Sequence, residues 1–195
     1  MRKIPTMFER DWNGDRSKVV DKVHVGCEWV ANGEGFATQK LDGTCCMIRD
    51  GKLYKRRELK DGETAPESFE LVGRDEETGK SIGWVPVGEG PEDKWHRVAF
   101  KSDLSDGTYE LIGPKVQGNP EGVPEHMLIS HAFIRPYADT PRTFSELREW
   151  LASRNIEGIV WHHPDGRMAK IKLRDFGLKR KANTSDTVPT LRTSN

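Results

Sequence analysis

The sequence has few cysteines and no pattern that would join them into a structural framework. It contains only three, Cys27, Cys45 and Cys46. An odd number with two adjacent residues argues against a set of disulfides. There is no C-x-x-C or H-x-x-x-H pair, so a structural zinc site is not expected. The six histidines are interpreted as ordinary surface or core residues.

Long apolar runs and a net charge are also missing. No stretch of about 18 apolar residues occurs, and the N-terminus lacks an apolar signal segment. We therefore expect a reduced, cytoplasmic protein with no membrane partner. The 31 basic and 31 acidic residues cancel, so overall charge gives no argument for nucleic-acid binding. The segment from Arg167 to Lys181, however, is locally basic and could attract phosphates.

The pattern of what remains predicts one α+β domain over residues 1–178 and a flexible polar tail over 179–195. The chain becomes strand-like from Cys27, and two β-prone runs, 44–49 and 52–57, flank Asp50-Gly51 as a hairpin. Residues 58–94 are expected to form a long loop with one or two short strands, around 81–87. A strand is expected at 127–133. Thr143-x-x-Glu146 predicts a capping box that starts a helix, and strands follow at 158–161 and 168–173.

Four short motifs follow one another along this framework. Lys40-Leu-Asp-Gly43 comes first, and Glu110 ends an apolar run. Glu157 precedes a buried strand, and Lys170 and Lys172 share one face of the next because residues i and i+2 of a strand do. Taken singly, these motifs are typical of an Asp-Gly turn, surface or edge carboxylates and a solvated lysine pair. The ordered series over roughly 130 residues favours a common chemistry.

The series resembles the covalent nucleotidyltransferase superfamily of DNA ligases, RNA ligases and capping enzymes. Lys40–Gly43 is similar to its first motif, Arg56 and Arg57 to the second, and Tyr109-Glu110 to the third. Glu157–Val160 and Lys170–Lys172 are similar to the last two. The strings Lys40–Cys46, Gly90–Lys94 with His96, and Glu110–Pro120 resemble the small RNA ligase 1 family more closely.

The resemblance implies an antiparallel-sheet-rich nucleotidyltransferase domain (ATP-grasp-like adenylylation) without an appended OB domain. Superfamily ligases commonly carry a further domain after the last motif, whereas only about 20 residues follow it here. Thr44-Cys45-Cys46 also stands where DNA ligases usually have an arginine, which argues against a DNA ligase.

The chemistry implied is the transfer of AMP from ATP to Lys40, then to a 5′-phosphate on RNA, and finally attack by a 3′-hydroxyl. An ordinary lysine is protonated at neutral pH, so the nucleophile must be buried among cations to react. Lys170, Lys172 and one of Arg56 and Arg57, which lie on opposite strand faces, would supply charge to the phosphates. Mg²⁺ or Mn²⁺ would lie near Glu157, since hard cations prefer oxygen ligands.

The remaining roles concern the nucleoside. By resemblance, Glu110 would hold the ribose hydroxyls, and Asp42 would orient the loop or contact the nucleotide. Gly43 would permit close backbone approach. Backbone groups near Thr38 and Gln39 would recognise adenine, and Phe36 is a candidate for stacking on it.

Two alternatives remain open. The same lysine chemistry would serve a capping-type guanylyltransferase or a protein adenylyltransferase. A chain of another class, a non-catalytic RNA- or nucleotide-binding module, could keep the fold without the reaction.

Overall fold

The computed structural model describes residues 3–75 and 78–181, in which the chain divides into two compact units. One comprises residues 4–41 and 134–181 and is called the four-stranded unit. The other comprises residues 42–133 with Lys3 and is called the six-stranded unit. The predicted tail from residue 182 lies outside the described residues, and the predicted boundary at 178 stays a prediction.

The four-stranded unit is built on an antiparallel sheet with one long helix. Its elements are β1 (Phe8–Arg10), β2 (Val19–Val23), α1 (Glu28–Ala31), β3 (Phe36–Lys40), β10 (Pro136–Tyr137), α3 (Phe144–Ala152), β11 (Gly158–His162) and β12 (Met168–Lys172). The main sheet has the order β10-β3-β11-β12, and β1 pairs with β2. One face of the sheet carries Ile159, Trp161 and Ile171, which are fully buried in a core with Leu147 and Leu151 of α3.

The six-stranded unit is a single antiparallel sheet with a short helix. Its elements are β4 (Thr44–Arg49), β5 (Lys52–Leu59), β6 (Glu70–Arg74), β7 (Ser81–Pro86), α2 (Lys94–Ala99), β8 (Gly107–Ile112) and β9 (Met127–Ser130). The strand order is β6-β7-β5-β4-β8-β9. Cys46, Leu53, Tyr109 and Leu111 form its core with Ala99 of α2.

The architecture agrees with the predicted α+β class: both main sheets are antiparallel and helices are few. The predicted hairpin is confirmed, with Arg49 opposite Lys52 across the Asp50-Gly51 turn. Both turn residues have positive φ, 53° at Asp50 and 68° at Gly51, as a tight two-residue connection requires. No helix among the described residues is long and apolar enough to cross a membrane.

Several local predictions were wrong. The segment after Cys27 was expected to be strand-like, but it begins with the helical turn α1, in which Trp29 and Val30 are buried. The loop predicted at 58–94 does contain two short strands, β6 and β7, but β6 lies before the expected position, and the predicted end of the preceding strand at 57 is extended to Leu59 by pairing with β7. The strand at 127–133 ends at Ser130 and continues as a 3₁₀ turn. Leu173 likewise starts a 3₁₀ turn after β12.

The capping box is not formed as predicted. Thr143 is the N-cap of α3, but its side chain accepts no hydrogen bond from the helix backbone. Its hydroxyl instead donates to the Glu146 carboxylate at 2.6 Å. The residue pattern therefore located the helix start correctly and gave the wrong hydrogen bonds for it.

Candidate functional site

The candidate site of the four-stranded unit lies on the sheet face opposite its core. Lys40 of β3 and Lys172 of β12 both pair with Gly158 of β11. Thr38 and Lys170 both pair with Val160 in the next row of the same face. Because side chains two residues apart on a strand share a face, the register places the predicted lysines and Thr38 together.

Glu157, immediately before β11, links the two lysines at the end of the strands. Lys40 Nζ donates to Glu157 Oε2 and Lys172 Nζ donates to Glu157 Oε1, each at 2.5 Å. Lys40 Nζ also donates to the Leu41 carbonyl at 3.3 Å. We call Lys40, Glu157 and Lys172 the lysine cluster. Glu157 lies 117 positions from Lys40 and 15 positions from Lys172 in the chain, yet it contacts both.

Gly158 allows the strands around the cluster to approach closely. A Cβ atom at this position would lie 2.1 Å from the Ile171 carbonyl oxygen and 2.8 Å from the Lys172 Cα. Any side chain would therefore push β12 away from β11. The glycine after Glu157 is thus required by packing, and it also leaves the space between Lys40 and Lys172 free of a side chain.

The electrostatics of the cluster follow from its burial. Desolvation opposes the ionisation of Glu157, which is 8% exposed, but the two ammonium groups hold its pKa below its ordinary value. Desolvation, and then repulsion from Lys40, lowers the pKa of Lys172, while Glu157 opposes that shift. Two cations share one buried anion, so the cluster carries an excess positive charge that suits an anionic ligand.

A second ion pair fixes the backbone of Lys172. The Lys172 amide donates to Asp175 Oδ2, and Arg10 donates to Asp175 Oδ1, both at 2.9 Å. Asp175 is only 2% exposed and lies in the 3₁₀ turn Leu173–Phe176. Since a paired buried carboxylate is held in one geometry, Asp175 positions the end of β12 and hence the Lys172 side chain.

An aromatic pair lies on the same sheet face as the lysines. Phe36 pairs with His162 across β3 and β11, and their rings stack with centroids 5.2 Å apart and planes 18° apart. His162 Nε2 and Thr38 Oγ1 are 2.9 Å apart. Phe36 is half exposed. The pair can offer a flat surface to a planar ligand ring, and His162 was not singled out by the sequence.

Gln39 differs from its neighbours because its side chain belongs to the opposite face. It pairs with Ile159 of the core row, and its amide oxygen accepts a hydrogen bond of 3.3 Å from the Tyr137 hydroxyl. Only its backbone shares the strand segment of Thr38 and Lys40. The structure therefore does not bring the Gln39 side chain to the lysine cluster.

Within the six-stranded unit, Arg56 and Glu110 share one sheet face. Tyr54, Met47 and Thr108 form a row across β5, β4 and β8, and Arg56 and Glu110 are each two residues along from it. The Nε atom of Arg56 is buried without a hydrogen-bond partner among the described residues. Arg57 has the opposite orientation and pairs with Glu63. Arg56 is therefore the arginine that lies on the Glu110 face.

Glu110 is held by a histidine that sequence reasoning missed. His131 Nε2 lies 3.1 Å from Glu110 Oε2, and His131 Nδ1 lies 3.0 Å from Thr108 Oγ1. Glu110 is 8% exposed, so its carboxylate has limited contact with water. No sequence motif marks His131, because its proximity to Glu110 arises from the pairing of β8 with β9.

Asp42 and Gly43 occupy the start of the six-stranded unit. The Asp42 amide donates to Glu121 Oε1 at 3.0 Å. A Cβ atom at Gly43 would lie 2.2 Å from the Leu111 carbonyl oxygen, so the glycine permits the close backbone approach that was expected there, although to a strand of the protein itself.

No preformed metal site is visible in the part of the chain that the structure describes. It contains no group of three or more His, Cys, Asp or Glu side chains suited to hold an ion. Glu157 is a single carboxylate, which fits a Mg²⁺ ion that is held mainly by water and substrate phosphates. Both of its oxygens are engaged by ammonium groups, so an ion would have to compete with a lysine.

Comparison with known proteins finds similarity to one family. Residues 94–188 match the family model described as RNA ligase 1. RNA ligase 1 from Danio rerio is 25% identical over an alignment of 219 residues, which covers 73% of this chain and 67% of the relative. The proteins of the same name from Mus musculus and Pongo abelii are 24% and 26% identical, with coverage of 73% and 72% of this chain and 67% of each relative.

Proposed function

We propose that this chain, which matches the RNA ligase 1 family model over residues 94–188 and is similar to proteins of that name, is an ATP-dependent RNA ligase that joins a 5′-phosphate to a 3′-hydroxyl through a lysyl-AMP at Lys40. The observation that carries the proposal is the lysine cluster. Two amines and one carboxylate are in contact at a partly buried end of the sheet, where they can receive a triphosphate.

The first step forms a phosphoramidate. Lys40 Nζ attacks the α-phosphorus of ATP, the bond to the bridging oxygen breaks, and pyrophosphate leaves. The amine must first lose a proton, and Glu157 Oε2, in contact with it at 2.5 Å, is placed to accept that proton. Lys172 remains as a cation beside the developing negative charge. Lys170, two residues earlier on the same face, would contact a more distant phosphate.

The later steps reuse the same charges. AMP passes from Lys40 to the 5′-phosphate of RNA, which forms a pyrophosphate linkage and restores the amine. The 3′-hydroxyl then attacks that 5′-phosphorus, and AMP leaves. A divalent cation held by Glu157 together with the phosphates would supply charge screening. In the six-stranded unit, Arg56 is the arginine proposed to contact a phosphate. The Glu110 carboxylate is proposed to accept hydrogen bonds from the ribose hydroxyls.

Geometry alone does not choose between the two lysines, because both are bound to Glu157 at the same distance. The choice of Lys40 rests on the K-x-D-G resemblance. Mass spectrometry after incubation with ATP and Mg²⁺ tests it directly. We expect the addition of one AMP, mapped to the Lys40 peptide. Lys40→Ala should abolish the adduct, whereas the exposed Lys22→Ala of the same unit should leave it unchanged. An adduct on Lys172, or one that survives Lys40→Ala, would overturn the assignment.

The nucleotide and the acceptor need separate tests. Labelled GTP offered in place of ATP should give no adduct, and a label from GTP alone would support a capping-type enzyme instead. Ligation is then measured with an RNA that carries a 5′-phosphate and a 3′-hydroxyl. Glu157→Ala and Lys170→Ala should both lose ligation. Sealing of the same RNA without its 5′-phosphate would contradict the proposed end chemistry.

A further inference from the structure

A second surface lies outside the lysine cluster, in the six-stranded unit. The Trp95 indole and the His126 imidazole stack with centroids 4.2 Å apart and planes only 7° apart. Lys94 Nζ lies 4.7 Å from the centroid of the Trp95 ring. Lys94 and Lys115 are exposed, and both rings are partly exposed. We call Lys94, Trp95, Lys115 and His126 the Trp95 platform.

The platform is held rigidly from behind. His126 Nε2 accepts a hydrogen bond of 3.2 Å from the Lys115 amide. A Cβ atom on Gly113 would lie 2.5 Å from His126 Cδ2, so the imidazole rests directly against the backbone. Partial burial, and then the charge of Lys115, lowers the pKa of His126. A neutral imidazole that accepts this hydrogen bond supports the indole as a flat second layer.

The outer layer of the stack is easier to displace than the inner one. Lys94 has a long, exposed side chain, and a surface cation–π contact is worth only about 0.5–1 kcal/mol. A planar ring that stacked on the indole would replace the ammonium, which could turn to a neighbouring phosphate. Stacking of a nucleobase on an aromatic side chain is worth about 1–3 kcal/mol, so this exchange is favourable.

We propose that Trp95 stacks an unpaired base of the RNA to be joined, with Lys94 and Lys115 contacting the phosphates beside it. This inference rests on the proposed function, which supplies RNA as the ligand. Single-stranded bases expose the ring faces that aromatic platforms recognise. Glu92 and Glu125 are close to the platform in sequence, and their negative charges offset part of the attraction of the two lysines for phosphates. We therefore expect stacking on Trp95 to set most of the affinity.

The test measures binding of a fluorescent, unstructured RNA oligonucleotide to the full chain by anisotropy at several salt concentrations. Trp95→Ala should weaken binding about 5- to 100-fold, and Trp95→Phe should restore most of the affinity. Trp12→Ala is the matched control, since Trp12 is also exposed and has a cation, Arg16, 5.7 Å from its ring. That variant should bind RNA as the unaltered protein does.

Lys94→Ala gives an independent readout that does not depend on a buried contact. It should reduce the slope of log affinity against log salt by about 0.7, the loss of one phosphate contact on a single strand. Unchanged affinity in Trp95→Ala, or an unchanged slope in Lys94→Ala, would overturn the platform. The yield of lysyl-AMP is measured in parallel. Its absence in the unaltered protein would overturn the proposed function while the binding data still decide the platform.

Discussion

Replacement of Glu157 by Gln is the most direct physical test of the lysine cluster. The change keeps the shape of the side chain but leaves two adjacent ammonium groups with no anion between them. Removal of one partner from a buried ion pair costs about 3–5 kcal/mol. The Lys40 and Lys172 side chains are still 22% and 14% exposed, so water compensates in part. We expect a loss of about 2–4 kcal/mol.

Calorimetry and far-ultraviolet circular dichroism measure the effect. For a chain of this length the loss corresponds to a fall in Tm on the order of 10 °C. Glu149→Gln provides the control, because Glu149 is exposed on α3 of the same unit and should change Tm little. The double variant Glu157→Gln with Lys172→Met should recover part of the loss, since it removes one of the uncompensated charges.

The pH dependence of this variant follows from the direction of the pKa shift. The pKa of Glu157 lies below its ordinary 4.5 in the folded state. Its stabilising contribution is therefore complete at neutral pH and is lost as the pH falls through the folded-state pKa. The difference between Glu157→Gln and the unaltered protein should shrink in that acidic range. A difference in Tm that is absent at pH 7, or that stays the same however far the pH falls below the ordinary carboxyl pKa, would refute the ion-pair reasoning.

Two further substitutions test the other contacts. His131→Ala should raise the KM for ATP about 5- to 10-fold, roughly the loss of one ordinary hydrogen bond. It should also reduce the preference for ATP over 2′-deoxy-ATP, because Glu110 loses its positioning contact. An equal loss with both sugars would contradict this, and His131→Gln should restore part of the preference. Gly158→Ala should destabilise the protein by about 1–3 kcal/mol and lower the yield of lysyl-AMP, because its Cβ would lie 2.1 Å from the Ile171 carbonyl oxygen. A thermal unfolding assay measures the loss of stability. Gly88→Ala is the control, because its Cβ would meet nothing closer than 3.6 Å.

Local signals predicted the parts of the fold that depend on neighbours in sequence. The hairpin around Asp50-Gly51 and the start of α3 at Thr143 are set by turn chemistry and by apolar spacing within one segment. Helix α2 and the position of strand β6 escaped prediction because both elements are short. Strand β6 is defined by its pairing with β7, in which Arg74 lies opposite Ser81. Helix α2 packs Ala99 into a core that includes Cys46 and Leu128, which are distant in sequence.

The same distinction separates the predicted site residues from the missed ones. Strand alternation showed that Arg56 and Arg57 point to opposite faces, but only the register of β5, β4 and β8 identifies Arg56 as the one on the same face as Glu110. The expectation for Thr38 and Gln39 concerned their backbone groups and stays a prediction, while the register shows that the two side chains face opposite sides of the sheet. His131 and His162 lie near Glu110 and Thr38 through strand pairing, which single-sequence patterns do not encode.

Glu157 shows how the geometry refines a chemical expectation. The sequence suggested a carboxylate for a metal ion, and the structure instead places both of its oxygens on lysine amines. An ion that reached Glu157 Oε1 would displace Lys172 and leave Lys40 in contact with Oε2, the oxygen proposed to accept its proton. Metal binding and proton transfer would then use the two oxygens of one carboxylate. On this reasoning, adduct formation should depend on the cation even when the nucleotide is saturating, because the ion is needed at the carboxylate as well as at the phosphates.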